Sequence, residues 1–226
     1  MISKIFEQIG QDSLQSQAYE YVKKLILTNK LNVDGMYSET KLAAELGISR
    51  TPLRQALHRL SQDGYITIYP SKGFMIRHLT EKDMIETIQV RCAIEGFSTY
   101  FIIKEKNKIK RETFFSKIEN LIECMKKEKY AEDNNEAFME YDHIFHLEIV
   151  KFVENEEFIQ IFQRLIYFIH LTSRTSLLIP GRIDSTIKEH EEYIQYLKNH
   201  DEIGAYNIMM KHLEMPIKLI SNRFNN

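Results

Sequence analysis

Glycine is concentrated in one short part of this chain, and that distribution restricts the fold more than any other feature. Four of the eight glycines fall between residues 35 and 73, at Gly35, Gly47, Gly64 and Gly73. Glycine marks tight turns and helix ends. Later in the chain glycine is scarce, and apolar residues recur at the three- and four-residue spacing of amphipathic helices. The pattern predicts two domains, a turn-rich one at residues 1–78 and a helical one at 79–226.

Length and charge agree with this division. A chain of 226 residues can form two small domains, each with its own core. The overall formal charge is −2, yet the first domain is slightly basic and the second is acidic. A basic first domain is compatible with nucleic-acid binding, although charge alone is weak support for it. Cys92 and Cys124 are too few for a disulfide framework, and no apolar run approaches the about 18 residues of a membrane span. We expect a cytoplasmic protein with no membrane partner.

The first domain is predicted to contain three helices and a β-hairpin. Apolar residues at helical spacing place the first helix at about residues 13–28. Ser38 and Ser49 can each cap the helix that follows them, and Gly47 and Gly64 end these two helices. Alternating apolar residues then predict strands at residues 65–69 and 74–77, which a turn at residues 70–73 connects. Together these elements form a winged helix-turn-helix.

The third helix carries the residues suited to contact DNA. Arg50, Thr51 and Arg54 lie in its first turns, the part of a helix-turn-helix that enters the major groove. An arginine can bond two acceptors of a guanine, and a hydroxyl can reach a phosphate. Lys72, at the tip of the hairpin, can reach the adjacent DNA backbone or minor groove. Two exposed arginines alone would be ordinary surface groups, but the capped helix, the glycine turn and the basic hairpin favour DNA binding.

The second domain is predicted to be a bundle of six helices, so the fold class is mainly α. The first of them follows Thr80, which can serve as its cap. The other five are predicted at about residues 108–129, 136–153, 156–176, 182–199 and 201–224.

Three histidines of this bundle lie on or beside apolar helix faces. Asp142 and His146 are four residues apart on one predicted helix, so a carboxylate and an imidazole face the same inner space. His190 and His212 occupy core positions on two other helices. The four side chains together form a set of three nitrogens and one oxygen that suits a divalent metal ion: zinc, or alternatively nickel, manganese or iron. A histidine on an apolar face is more often an ordinary core residue, and spacing alone leaves both interpretations open.

The first domain resembles a known family. Residues 42–57, LAAELGISRTPLRQAL, followed by Arg59-Leu60 and DGYI at 63–66, resemble the winged helix of GntR-type transcriptional regulators. The resemblance covers about residues 17–76. It implies contacts with operator DNA from Arg50, Thr51, Arg54, Lys72 and Gly73.

The second domain resembles the all-helical FCD effector domain of the FadR-like branch of these regulators, over about residues 79–222. The matching pieces include DHIFH at 142–146, Glu189-His190 and His212-Leu213. In metal-binding members of that branch, one aspartate and three histidines hold a divalent ion under a cavity for a small carboxylate effector. The resemblance implies that these ligands are Asp142, His146, His190 and His212. We expect Arg91, together with the metal, to bind the effector.

These observations predict a homodimeric transcription regulator, not an enzyme, in which a small organic acid alters the affinity of two winged helices for operator DNA. A metal-responsive regulator, in which the ion itself is the signal, is a second interpretation. A metal-dependent hydrolase or lyase is a third, because three histidines and an aspartate also suit catalytic zinc. The winged helix and the lack of an evident general base disfavour that third interpretation.

Overall fold

The computed structural model describes residues 13–28, 30–78, 80–129 and 135–224, with side chains up to residue 219. The beginning of the first predicted domain, residues 1–12, and the end of the second, residues 225–226, lie outside these ranges. Backbone contacts divide the chain into two compact units, Met1–His78 and Leu79–Asn226. Within the described residues, no helix is both long and apolar enough to cross a membrane.

The described part of the first unit contains three helices: α1 (Leu14–Leu27), α2 (Glu39–Leu46) and α3 (Arg50–Gln62). The side chains of Ser13 and Ser38 cap α1 and α2, because each accepts a backbone N–H of the first turn. Gly47 ends α2 with a φ of 68°, in the left-handed region that glycine adopts readily. Ser49 precedes α3 as predicted, but its side chain makes no capping hydrogen bond.

A β-hairpin completes the first unit, with strands β1 (Ile66–Tyr69) and β2 (Gly73–Ile76). Its antiparallel register pairs Ile66 with Ile76, Thr67 with Met75, Ile68 with Phe74 and Tyr69 with Gly73. Tyr37, just before α2, adds a bridge to this hairpin. The backbone N–H groups of Tyr37 and Phe74 each donate to the other's carbonyl, at 2.8 and 2.9 Å. The hairpin is thereby joined to the start of α2.

The core of this unit lies where α3 packs on α1 and β1. The buried face of α3 consists of Leu53, Ala56, Leu57 and Leu60, all with no exposed surface. Each fully buried leucine contributes about 2 kcal/mol through removal of apolar surface from water. This apolar face fixes the orientation of α3, so that its charged residues remain on the opposite side.

Gly73 provides a test of the bridge between the hairpin and α2. Its φ is 123°, and a Cβ at this position would overlap the carbonyl oxygen of Tyr37. We expect Gly73→Ala to lower the free energy of unfolding of this unit by about 2–4 kcal/mol, because it adds backbone strain and a clash with another backbone segment. Scanning calorimetry measures the change.

Gly47→Ala is the matched control for that substitution. Gly47 has a φ of 68°, but no described atom lies within 4 Å of an added Cβ. Its replacement costs only the left-handed backbone, about 1 kcal/mol. Equal losses of stability in the two variants would contradict a structural role for the contact of Gly73 with Tyr37.

The second unit is helical throughout its described part. Its seven helices are α4 (Glu81–Lys104), α5 (Lys108–Glu128), α6 (Glu136–Lys151), α7 (Glu156–Arg164), α8 (Ile166–Leu177), α9 (Arg182–Lys198) and α10 (Glu202–Phe224). Thr80 caps α4 in a capping box, in which its hydroxyl accepts from the Asp83 N–H while the Asp83 carboxylate accepts from the Thr80 N–H. The observed architecture has the predicted winged helix-turn-helix and the predicted all-α bundle.

The structure corrects the predicted number of bundle helices from six to seven. The single helix predicted at residues 156–176 is divided at Leu165, whose N–H is shared between the carbonyls of Ile161 and Phe162. The two halves pack on partly different neighbours: α7 packs on α6, whereas α8 packs on α6 and also on α4, α9 and α10. The break at Leu165 therefore separates a segment that packs on α6 from one that packs mainly on α4 and α10.

The bundle surrounds a polar region within an apolar core. The apolar cluster includes Ile118, Phe145, Ile149 and Leu197, all without exposed surface. Helix α10 packs along α4 and α9, and α6 packs on α4 and α5. Where α4, α6, α9 and α10 come together, the buried side chains are charged or ligating: Arg91, Glu95, Asp142, His146, Arg182, Glu189, His190 and His212.

Candidate metal centre and DNA-binding helix

Four potential ligands meet in the interior of the second unit. Asp142 and His146 lie one turn apart on α6, His190 projects from α9 and His212 from α10. All four side chains are buried. One ligand atom of each lies within 4.8 Å of the others. The structure therefore brings together all four residues that the sequence predicts as metal ligands.

The Nε2 atoms of the three imidazoles face one another. His212 Nε2 is 3.1 Å from His146 Nε2 and 3.4 Å from His190 Nε2. Oδ1 of Asp142 is 3.6 Å from His190 Nε2. Two nitrogens that are each about 2.1 Å from one tetrahedral or octahedral ion stand roughly 3.0–3.4 Å apart. The observed spacing is that expected of ligands around a single ion.

Two of the imidazoles are held from behind by glutamates. Nδ1 of His146 is 2.6 Å from Oε2 of Glu95, and Nδ1 of His212 is 2.8 Å from Oε2 of Glu189. An ionised glutamate accepts from Nδ1, and on a neutral ring the Nε2 atom then presents its lone pair. Two lone pairs 3.1 Å apart repel unless a cation lies between them. Proteins commonly orient metal-binding imidazoles in this way.

Each glutamate is paired with a buried arginine. Arg91 Nε donates to Glu95 Oε1 at 2.7 Å, and Arg182 Nη1 donates to Glu189 Oε2 at 2.9 Å. Burial raises the pKa of Glu189, but hydrogen bonds from His212 and Arg182 outweigh it, and the net shift of that pKa is downward. The second unit thus contains two parallel chains of contacts, each running from arginine to glutamate to histidine.

Burial also controls the protonation of the cluster. It raises the pKa of Glu95, which the charge of Arg91 opposes, and it raises the pKa of Asp142. It lowers the pKa of His146 and of His190 well below the ordinary value of histidine, and nearby positive charge adds to this effect. Both imidazoles are therefore neutral at pH 7, the form that binds a metal.

The unsatisfied atoms of the cluster give a further test of its chemistry. Among the described residues, Oδ1 of Asp142 and Nδ1 of His190 are buried without a hydrogen-bond partner. A buried carboxylate oxygen with no partner is costly, and a cation among the four ligands would remove that cost. The ring of His190 is instead supported by stacking on Phe145, with ring centroids 4.1 Å apart. The donor set fits a divalent metal ion.

A small cavity adjoins the cluster. Its lining includes Arg91, Asp142, Arg182, His212 and the hydroxyl residues Ser173, Ser176 and Thr186. The free volume is about 20 Å³, enough for roughly one water molecule. Nη2 of Arg91 is buried and has no hydrogen-bond partner within the described part of the chain. The arginine predicted to bind a carboxylate therefore lies beside the predicted metal ligands.

From the sequence, Arg91 is predicted to bind the effector, but no role is assigned to Glu95, Arg182 or Glu189. Arg91 and Glu95 have the four-residue spacing at which helical side chains pair. Glu189 directly precedes His190, and Arg182 lies two turns before Glu189 on the same helix. Charges on the buried faces of apolar helices were the available signal. Only the folded structure shows which imidazole each glutamate supports.

The remaining histidines of the second unit lie outside the cluster. His143 stacks on Phe162 with ring centroids 5.5 Å apart. His170 Nε2 is 3.8 Å from a carboxylate oxygen of Glu136. His200 Nε2 is 3.4 Å from Nη2 of Arg111, away from the four ligands.

In the first unit, the predicted DNA-binding residues occupy exposed positions. Arg50, Thr51 and Arg54 are exposed on the first turns of α3, and Lys72 is exposed in the hairpin turn. Gly73 is half-buried against Tyr37, so the structure gives this glycine a packing role in addition to the predicted DNA contact. These placements leave the polar face of α3 accessible to a DNA groove.

Comparison with known proteins places the chain in a family. Residues 14–76 match the family "Bacterial regulatory proteins, gntR family", and residues 86–215 match the FCD domain. The gluconate operon transcriptional repressor of Bacillus subtilis (strain 168) is 30% identical over 189 residues, which cover 81% of this chain and 75% of that protein. The chain belongs to the GntR family.

Other GntR-family comparisons agree. The probable D-xylose utilization operon transcriptional repressor of Paenarthrobacter nicotinovorans is 24% identical over 208 residues, 92% of this chain and 88% of the relative. The structure of E. coli McbR/YncC has a TM-score of 0.76 at 16% identity, over 95% of this chain and 100% of the other. A putative GntR regulator from Rhodococcus sp. RHA1 has a TM-score of 0.75 at 15% identity, over 92% and 97%. These structural similarities confirm the predicted fold class.

The GntR-family assignment identifies the protein as a DNA-binding transcriptional regulator with an FCD domain. It is not an enzyme, and the hydrolase or lyase interpretation is therefore set aside. Helices α2 and α3 and the hairpin lie within the residues that match the gntR family.

The exposed face of α3 leads to a prediction about sequence-specific binding. We expect Arg54→Ala to weaken binding to the preferred duplex by about 1–3 kcal/mol, because a bidentate contact with a base is lost. Fluorescence anisotropy at fixed salt, with a duplex selected from a random library by the wild-type regulator, measures the change. An unchanged affinity would contradict the assignment of α3 as the helix that reads bases.

Proposed function

We propose that this GntR-family protein is an operator-binding regulator whose DNA affinity is controlled by a small carboxylate effector bound beside a divalent metal ion. The observation that supports the metal is the convergence of the three Nε2 atoms, two of them on rings whose Nδ1 is held by a glutamate. The two glutamates orient these rings so that their Nε2 atoms face one point, as the ligands of a single ion do. Residues 1–78 bind DNA, and residues 79–226 hold the metal and the effector.

In this proposal Asp142, His146, His190 and His212 are the metal ligands. Three imidazoles and one carboxylate suit zinc, with nickel, manganese and iron as alternatives. The bound ion supplies a Lewis-acidic position that accepts a carboxylate oxygen. Glu95 and Glu189 orient two of the imidazoles, and the charges of Arg91 and Arg182 favour the ionised form of these glutamates.

The effector is assigned from the charges that line the cavity. Two guanidinium groups, from Arg91 and Arg182, border it, and each also pairs with a glutamate. The unpartnered Nη2 of Arg91 remains for an anion. Hydroxyl side chains in the lining suit a hydroxylated acid. The Bacillus subtilis relative is named for the gluconate operon, and gluconate is an acid of this class.

The size of the cavity suggests how binding changes the protein. A volume of about 20 Å³ is smaller than an organic acid of several carbon atoms. Such an acid binds only when the helices that line the cavity, α6, α8, α9 and α10 among them, separate. A ligand that prefers the open arrangement shifts the population toward that arrangement, and the operator affinity changes with it.

A helix-turn-helix regulator that reads two half-sites acts as a homodimer, and a regulator that binds operator DNA acts in the cytoplasm.

A metal-responsive regulator is the second candidate function. The observation in its favour is the small volume of the same cavity, which leaves room for roughly one water molecule beside an ion. The two candidates differ in one measurement. Metal alone changes operator affinity if the ion is the signal, whereas metal plus an organic acid is needed if the acid is the signal.

Native mass spectrometry of the protein, purified without chelators, tests the proposal as a whole. We expect the mass of a dimer that carries one divalent ion per chain. A metal-free protein after growth in metal-replete medium would overturn the metal centre and return the three histidines to a structural role.

Substitution of the ligands gives a direct prediction. We expect His190→Ala and His212→Ala each to abolish stoichiometric metal and to lower the thermal midpoint, because stabilisation by a ligand bound only to the native state is lost. Elemental analysis and thermal unfolding measure the two effects. His143→Gln is the matched control, since His143 lies on α6 beside Asp142 but outside the cluster. Loss of metal in this control, or retention in the two ligand variants, would contradict the assignment.

A second prediction concerns Arg91. Thermal shift of the metal-loaded protein with a panel of small mono- and dicarboxylates identifies acids that bind. We expect Arg91→Lys to weaken the best acid by about tenfold, since the ammonium keeps a positive charge near Glu95 but offers no planar pair of donors. Lys188→Arg, on the exposed side of α9, is the control and leaves the affinity unchanged. An acid that binds the Arg91→Lys variant at full strength occupies another site.

A further inference from the structure

Arg54 is held by a residue of the preceding helix. Its Nε donates to Oε2 of Glu39 at 3.1 Å. Glu39 is the first residue of α2, and Arg54 lies in the second turn of α3, so this ion pair joins the two helices of the helix-turn-helix. The side chain of Arg54 is 52% exposed, whereas that of Glu39 is 19% exposed. The carboxylate thus lies behind the guanidinium, on its protein side.

We propose that Glu39 is a positioning residue for base recognition. Its carboxylate holds the Nε edge of Arg54, so that the two Nη groups point outward as a fixed pair of donors toward a guanine. The inference rests on α3 being the helix that reads bases. It adds a residue that touches Arg54 and no base.

The chemistry of the guanidinium supports this role. A guanine presents O6 and N7 side by side in the major groove, and arginine reads them with two parallel N–H groups. The guanidinium is planar and has five N–H donors, so engagement of Nε leaves the two Nη groups available. An exposed arginine otherwise loses rotamer freedom when it binds. A partner that fixes its plane beforehand reduces that loss.

The backbone around Glu39 is itself anchored. Ser38 caps α2 by accepting the N–H of Lys41. One residue earlier, Tyr37 exchanges two backbone hydrogen bonds with Phe74 of the hairpin. The start of α2 is therefore fixed to the hairpin that carries Lys72. Through Glu39, the direction of Arg54 is set relative to this same frame.

The charge of Glu39 distinguishes positioning from general attraction to DNA. A carboxylate beside the DNA-binding face repels phosphates and lowers affinity for any sequence. A residue that only strengthened binding would not be an acid. Glu39 is expected to improve the discrimination between sequences while it weakens non-specific binding.

The test measures discrimination with the full-length regulator. A random duplex library selected by the wild type gives the preferred sequence, and single-base changes in it give the affinity ratio at each position. The position at which Arg54→Ala loses discrimination is the base that Arg54 reads. At that position we expect Glu39→Ala to reduce the ratio by about tenfold, a coupling typical of residues in direct contact. Its affinity for an unrelated duplex rises by about two- to fivefold because a negative charge is removed.

Two controls separate positioning from charge and from damage to the fold. Glu45→Ala removes the same charge from an exposed position on α2, so it raises non-specific affinity but leaves the ratio unchanged. In an Arg54→Ala background, Glu39→Ala has no further effect on the ratio. The ratio of two affinities does not change when part of the sample is unfolded, so a loss of stability does not imitate the expected result.

The possible outcomes are distinct. A library that yields no enriched sequence, or an Arg54→Ala variant with full discrimination, overturns α3 as the helix that reads bases and this inference with it. If Arg54→Ala loses discrimination but Glu39→Ala keeps it within twofold, or if Glu45→Ala loses it equally, the role of Glu39 is overturned while DNA recognition by α3 stands.

Discussion

Three imidazole nitrogens converge inside the apolar bundle, and the charges around them follow from that convergence. Two of the rings present lone pairs to one another 3.1 Å apart because Glu95 and Glu189 hold their Nδ1 atoms. Buried glutamates are costly, and Arg91 and Arg182 offset that cost through buried ion pairs. The polar interior of this FCD domain is thus a single arrangement in which each charge depends on its neighbour. Removal of one member leaves another buried without a partner, which explains why so many polar groups occur together here.

The same two arginines connect the cluster with the adjoining cavity. Each guanidinium contacts a glutamate that supports an imidazole, and each also borders the space in which the proposed effector binds. In the proposed function, an anion bound by the unpartnered Nη2 of Arg91 shares that guanidinium with Glu95, and this contact couples effector binding to the metal site. The cavity is small, and the bundle must rearrange to enlarge it. Because of these two properties, binding of the proposed effector changes the positions of the helices around the cavity.

The DNA-binding unit uses charge in the opposite way. Its core is mostly apolar where α1 packs on α3, with Gln17 as a buried polar residue, and the arginines of α3 lie on its exposed side. Arg54 reaches solvent with only its Nε edge occupied by Glu39. A surface pair of this kind contributes little to stability. Its proposed role is to orient the guanidinium of Arg54, because a recognition residue must present its donors at a defined angle.

Much of this protein was predictable from local sequence. Apolar spacing placed α1, serine and glycine positions placed α2 and α3, and alternating apolar residues placed the hairpin. Helical spacing placed the four ligands on buried faces. These features depend on residues within one or two turns of each other. The resemblance of residues 42–57 to GntR regulators added the family. Local spacing did not reveal the break at Leu165, where packing on α6 gives way to packing mainly on α4 and α10. It also did not show that Glu95 supports His146, that Glu189 supports His212, or that Glu39 holds Arg54. Those pairs join separate helices, and their geometry exists only once the apolar faces have packed, so the tertiary structure alone decided them.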